Sequence, residues 1–181
     1  MVSWTRIARR SRVPLGFAVT AIYLLLADPI PISLLVGTLL IIPGLMIRAM
    51  ASGHVQKNER LATTGPYAYT RNPLYLGSFM MGLGFLFVAR SWWVAAIMMV
   101  MLVTIYMPVI RAEEAFLTQR FPEFAEYARQ VPQLIPTLNS PYRQRGAFSL
   151  ALYKKHREYN AALGAGALLA ALVVKMFWLS R

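Results

Sequence analysis

The chain has no cysteine. That excludes disulfides, thiolate metal sites and cysteine nucleophiles. Charge is scarce: charged residues make up 14% of the 181, where a soluble domain carries nearer ~25%. Acid is scarcer still, with seven Asp and Glu against 19 Lys and Arg, for a net charge of +12. There is no GKS or GKT phosphate loop. Gly164 and Gly166 lie inside an apolar run and follow no strand, so they are not a dinucleotide fingerprint. Close helix packing through small residues is the expectation there. The two histidines, His54 and His156, are far apart in sequence, and no metal site is expected. No motif supports Ser/His/Asp catalysis, and no catalytic residue is assigned. The basic residues are scattered among apolar runs rather than gathered on one surface, which argues against nucleic acid as a partner.

What is present is apolar. Hydrophobic residues make up 57% of the chain and the mean hydropathy is +0.49. Five apolar runs stand out: Val13–Ala27, Ile30–Ile47, Pro73–Ala89, Trp92–Ile110 and Ala161–Leu179. Spanning a bilayer takes roughly 20 residues, with a range of about 17–25. The expectation is a single all-α integral membrane domain over 1–181 with about five transmembrane helices, at 13–27, 30–47, 73–89, 92–110 and 161–179. The first run is short and follows Arg6, Arg9, Arg10 and Arg12, as a signal peptide would. Its exit, "LLADP", lacks a small residue at the −3 position, so a retained helix is expected. Asp28-Pro29-Ile30-Pro31 then suits the turn of a helical hairpin.

Charge sets an orientation. With five spans, one side holds residues 1–12, 48–72 and 111–160, carrying 16 of the 19 Lys and Arg. Positive segments stay in the cytoplasm, which places the amino terminus, residues 65–77 and the long 111–160 segment on the cytoplasmic side of a membrane expected to be a bacterial inner membrane. Lys175, near the other side, is expected to snorkel to the outer interface. Within 111–160, "EEAFLTQRFPEFAEYARQ" reads as an amphipathic helix on the membrane face, broken near Pro122. "VPQLIP" reads as extended chain, and "ALYKKHREYNAAL" as a second interfacial helix leading into the last span.

Two features carry chemistry. The stretch "GPYAYTRNPLYLG", residues 65–77, is a rigid elbow. Gly65-Pro66 sets a turn, Pro73 pushes Asn72 toward extended backbone, and Pro73 itself suits the first turn of a helix. A helix amino terminus favours an anionic group such as a carboxylate. Tyr67, Tyr69 and Tyr75 offer ring faces and hydroxyls, and Arg71 offers a partner for a carboxylate. The alternative is an interfacial aromatic belt with a snorkelling arginine. The second feature is Glu113-Glu114, at the end of the fourth run. It is either a receptor for an amine or two solvated acids at a helix start. The Pro73–Ala89 and Trp92–Ile110 hairpin brings both features to one face, where an amino acid head group would satisfy both.

The chain resembles the membrane methyltransferases that include isoprenylcysteine carboxyl methyltransferase and phospholipid N-methyltransferases. Their signature is Arg-His-Pro-x-Tyr-x-Gly, a hydrophobic hairpin, then Glu-Glu. Here it is Arg71-Asn72-Pro73-Leu74-Tyr75-Leu76-Gly77, then Glu113-Glu114. "LATTGPYAY" before it and "FPEFAEYARQVPQLIP" after it also resemble the family, so the likeness covers 54–137. It implies an S-adenosylmethionine pocket without a Rossmann fold, formed by cytosolic amphipathic helices above the hairpin. The implied cofactor residues are Arg60, Leu61, Ala62, Tyr67, Arg71, Asn72, Pro73, Leu74, Tyr75, Glu113 and Glu114, with Glu113 taking the methionine ammonium. Asn72 stands where the signature has histidine and is no titrating group. Tyr106 and Arg111 are the candidates for contact with the acceptor; Arg111 is near the family's substrate-binding arginine but not aligned with it. The implied reaction is methyl transfer to a lipophilic acceptor (an amine, carboxylate or thiol) among membrane lipids. One alternative is a related NADPH-dependent membrane reductase, with Arg60 and Lys57 for the extra phosphate. The other is a non-catalytic transport module.

Overall fold

A computed structural model describes residues 16–56, 59–142 and 146–179. Arg6, Arg9, Arg10, Arg12, Lys57, Arg181 and the first three positions of the Val13–Ala27 run lie outside the described residues. Among those described, every regular element is helical and there is no strand. We label the α-helices α1 (Gly16–Leu26), α2 (Pro31–Ser52), α3 (Pro73–Ala89), α4 (Trp92–Arg120), α5 (Phe124–Gln130), α6 (Leu150–Lys155) and α7 (Tyr159–Leu179). Helices α2, α4 and α7 are long and apolar enough to cross a membrane, and α1 and α3 are shorter apolar helices. The chain is therefore built as an integral membrane protein, with three helices of spanning length.

The sequence-derived boundaries needed two corrections. The second run does not end at Ile47, because α2 continues to Ser52 and carries Arg48 inside it. The fourth run does not end at Ile110 either. Helix α4 continues unbroken to Arg120, so Glu113-Glu114 are mid-helix residues and not a helix start. Proline marks the other ends as expected: Pro31 and Pro73 sit in the first turns of α2 and α3, and the chain leaves α4 at Phe121, just before Pro122.

Helices α2 and α3 touch through their backbones. A Cβ added at Gly37 would lie 2.5 Å from the carbonyl oxygen of Gly84, and one at Gly84 would lie 2.5 Å from that of Gly37. Gly44 and Gly77 reciprocate at 2.7 and 2.5 Å. Only glycine permits this approach, which brings two antiparallel helices into close van der Waals contact where hydrophobic burial contributes little. The packing expected at Gly164 and Gly166 does not occur, since a Cβ at either would meet nothing within 4 Å.

Helix α1 lies against α3 and α7. Tyr23 and Ala27 pack with Val88, Ala89, Val94 and Leu172, and the Tyr23 hydroxyl donates to the Phe85 carbonyl at 2.8 Å. Lys175 of α7 reaches across to the end of α1. Its ammonium donates to the carbonyls of Leu24, Leu25 and Ala27 at 2.6, 3.0 and 2.7 Å. It satisfies the orphan acceptors at the end of α1, a role suited to lysine at a helix carboxyl terminus.

Within α4, residues Leu102–Tyr106 form a π-helical turn, with the Met107 amide bonded to the Leu102 carbonyl. Pro108 follows. In a regular helix its ring would press on the Thr104 carbonyl four residues back, and the wider turn makes room for it.

Candidate functional site

The elbow is a short 3₁₀ turn, Gly65–Ala68, running into α3. Gly65 has a φ of 59°, and a Cβ there would come within 2.6 Å of the His54 ring. Glycine is required on both counts. His54 faces the Met50 carbonyl at 2.7 Å and the Gly146 carbonyl at 3.2 Å, and His156 faces the Ser52 carbonyl at 3.1 Å. The two histidines, distant in sequence, both serve the carboxyl-terminal end of α2.

One side of the elbow is saturated with internal bonds. The Arg71 guanidinium donates to Glu114 at 3.0 and 3.3 Å and to the carbonyls of Ala128 and Val131 at 2.6 and 3.0 Å. It thus pairs a carboxylate and caps α5 at once. The Asn72 side-chain amide donates to Glu114 at 3.0 Å and to the Gln133 carbonyl at 3.2 Å. Gln133 donates to the other Glu114 oxygen at 3.0 Å. The 131–137 segment lies along the elbow as a strap: the Arg71 amide bonds to Pro132 and the Thr137 amide to Tyr69, each at 2.9 Å. Tyr127, buried in the cluster with Phe121, Phe124 and Val131, donates its hydroxyl to the Tyr67 carbonyl at 2.7 Å. Leu61 packs on the same cluster.

The other side is open. Neighbours on a helix point about 100° apart, so Glu113 cannot share the partners of Glu114. Among the described residues the half-buried Glu113 makes no hydrogen bond or ion pair. It lies within electrostatic reach of Tyr67, whose side chain is 8% exposed and whose hydroxyl has no hydrogen bond among the described residues. Burial pushes the Tyr67 phenol up, with Tyr127, Glu113 and Glu158 adding to the shift and Arg48 opposing it. Tyr67 therefore stays protonated and presents an O–H donor. No side chain caps the amino terminus of α3.

Beneath the elbow, in the apolar layer, lies a cavity of about 520 Å³. Its walls come from α1, α3, α4 and α7, and include Ser78, Leu86, Met98 and Leu168. The end nearer the elbow is marked by Ser78 and Tyr106, and the Tyr106 ring meets Tyr75 and Phe79 edge-on at 6.4 and 6.1 Å. From Ser78 to Leu86 the wall runs about 12 Å along α3.

Of the residues singled out in the sequence, Tyr67 and Glu113 lie within electrostatic reach of each other on the open side. Arg71, Asn72 and Glu114 meet one another on the saturated side. Pro73 is buried, Ala62, Leu74 and Tyr75 are half-buried beside the elbow, and Tyr106 joins the cavity wall. Arg60 and Arg111 are exposed. The sequence reading missed Gln133, Arg48, Ser78 and Glu158. For Gln133 a signal existed, as it is the only polar side chain in "VPQLIP".

Among the described residues the scaffold is all-helical, with a proline-led elbow over an apolar cavity, and its class is that of the helical integral membrane proteins. Within that class, this chain belongs to the phospholipid methyltransferase family, whose profile matches residues 32–123, 92 of the 181. The chain is also 40% identical over 95 residues to the cobalt-zinc-cadmium resistance protein CzcN of Cupriavidus metallidurans, covering 52% of this chain and 44% of that protein. To the nickel-cobalt-cadmium resistance protein NccN of Alcaligenes xylosoxydans xylosoxydans it is 39% identical over 84 residues, 46% of this chain and 39% of that one. The chain thus spans less than half the length of these curated relatives. No solved structure gives a significant match.

Proposed function

We propose that the protein transfers a methyl group from S-adenosylmethionine to a lipophilic acceptor held in the membrane. The observation that carries this reading is the division of the elbow into a saturated side and an open side. Tyr67 is buried and Glu113 half-buried, and neither the Tyr67 hydroxyl nor the Glu113 carboxylate has a hydrogen bond among the described residues. A carboxylate that keeps its bonding capacity, within electrostatic reach of an O–H donor, suits a polar, cationic ligand. The cofactor's ammonium suits Glu113, and Tyr67, Leu74, Tyr75 and the α3 amino terminus line the remaining space. Membership of the family supports the same choice of cofactor.

When bound, S-adenosylmethionine supplies a methyl group already activated by its sulfonium. The chain's own contribution is to hold two partners in line and to exclude water. Arg71, Asn72, Glu114 and Gln133 keep the elbow rigid. The cavity takes the apolar part of the acceptor and presents its reacting end at Ser78 and Tyr106. The names of the two relatives place them in metal resistance. Among the described residues no group of three or more His, Asp or Glu side chains is placed to hold a metal ion, so we infer that any part in such resistance runs through modification of a membrane component.

The test is titration of S-adenosylhomocysteine into detergent-solubilised protein, which should give saturable binding. Labelled S-adenosylmethionine incubated with a total bacterial lipid extract should then pass its label to the lipid fraction. Binding of NADPH without binding of S-adenosylhomocysteine would replace this reading with a reductase.

A further inference from the structure

Arg48 is a charge that a membrane helix does not need. It sits within α2, four residues before the helix ends. Its Nε donates to Glu158 at 2.6 Å, and its Nη1 donates to the Ser78 hydroxyl and to the Leu74 carbonyl, the latter at 3.3 Å. The Ser78 hydroxyl donates its own hydrogen bond to that same carbonyl at 2.9 Å. The Arg48 and Glu158 side chains are 23% and 11% exposed. Desolvation offsets most of what such a pair contributes to stability, and an ionisable pair in an apolar segment marks function by default.

The reach of the guanidinium is specific. Leu74 belongs to the elbow, and Ser78 belongs to the cavity wall. Arg48 therefore fastens the seam where the cofactor loop meets the acceptor's chamber. Glu158 sits outside the family-matched 32–123, in the turn between α6 and α7. It holds Arg48 from behind while lying within electrostatic reach of Tyr67 on the elbow's open side. Three acceptors around one planar fork is a task for arginine that lysine's single ammonium does not reproduce.

We propose that Glu158 and Arg48 are positioning residues of the transfer reaction, fixing the first turn of α3 and the Ser78 hydroxyl so that the acceptor's reacting end meets the cofactor in line. This rests on the methyl-transfer reading. It makes the carboxyl-terminal part of the chain a required part of the site, and it assigns the pair to the acceptor side rather than to cofactor affinity.

The experiment compares wild type with Glu158→Gln, Glu158→Asp, Arg48→Lys and Asp28→Asn, all as the full chain in detergent. Asp28 pairs with Arg90 at 3.3 Å in an exposed bridge remote from the elbow. Two quantities are read: label transfer from S-adenosylmethionine into a total bacterial lipid extract, and the dissociation constant of S-adenosylhomocysteine. Melting temperature and helicity are followed for each. Misplacing reactants by about 1 Å costs on the order of 100-fold, so Glu158→Gln and Arg48→Lys should lose transfer by about that factor. Their affinity for S-adenosylhomocysteine should change by less than about tenfold. Glu158→Asp should recover part of the transfer, and Asp28→Asn should match wild type. Transfer and affinity falling together with the melting temperature would reduce the pair to a helix clamp and overturn the proposal. Undiminished transfer in Glu158→Gln would overturn it as well, and would leave the methyltransferase reading standing. Wild type that neither binds S-adenosylhomocysteine nor transfers label would remove that reading and this proposal with it.

Discussion

Glu113 and Glu114 are adjacent in the chain and opposite in circumstance. Glu114 accepts from Arg71, Asn72 and Gln133, and all of its charge is used inside the molecule. Glu113 has no hydrogen bond or ion pair among the described residues. The same contrast separates the two sides of the elbow they face. A saturated polar cluster holds shape, because each group left alone there would cost its desolvation. An open polar group keeps its bonding capacity for something that arrives. One turn of helix thus carries a carboxylate engaged by three donors and a carboxylate left open, and residue type alone does not distinguish them.

The contrast can be broken most forcefully from the braced side. Arg71→Ala leaves the Glu114 carboxylate and two α5 carbonyls without their main donor. Removing one partner of an enclosed ion pair costs about 3–5 kcal/mol. We expect the largest loss of thermal stability here, read by the melting temperature in detergent, with cofactor binding lost only as a consequence of unfolding. Glu113→Gln should do the reverse. Its stability should stay near wild type, while the dissociation constant of S-adenosylhomocysteine should rise 10- to 100-fold, since a charge-assisted bond contributes roughly 1.5–3 kcal/mol. Glu123→Gln, which removes one charge from an exposed position, is the matched control and should show neither change. Tyr67→Phe sharpens the comparison with the smallest effect. It deletes a hydroxyl that has no hydrogen bond among the described residues, so stability should hold, and affinity should fall by no more than about tenfold, the ~0.5–1.5 kcal/mol of one neutral hydrogen bond. A Tyr67→Phe variant that melts well below wild type would show that the open side is structural too.

What the sequence disclosed, and what it withheld, follows the range of the interactions. Pro73 announced the start of α3, and Pro122 announced the end of α4, because proline acts on its own backbone. The apolar runs announced the helices, because hydropathy is local. Arg48 looked like part of a basic loop, and Lys175 like an interfacial anchor, because counting charges by segment ignores what each side chain can reach. Their partners lie 110 residues away at Glu158 and about 150 away at Leu24–Ala27. The Glu113-Glu114 pair was visible as a signal, but its division into two roles depends on helical phase. That phase could not be read while the end of the fourth run was taken as a boundary. The spacing of Gly37, Gly44, Gly77 and Gly84 was legible in principle, since both pairs are seven residues apart, whereas Gly164 and Gly166 drew notice without packing against anything.

The π-helical turn at Leu102–Tyr106 couples length and phase along α4. A π turn is a helix that has absorbed one surplus residue. The cavity-lining half of α4 before it and the glutamate-bearing half after it stay in angular alignment because the surplus is stored there. Removing a single residue inside 102–106, such as the exposed Val103, would discharge the surplus and leave both halves facing as they do now. Removing one anywhere between Met107 and Ala112 would turn the downstream half by roughly 100°, so that Glu114 would point where Glu113 does now and Glu113 where Ala112 does. At this turn α4 can lose a residue without a change of aim, though the regular helix that results gives up the room the wider turn makes for the Pro108 ring.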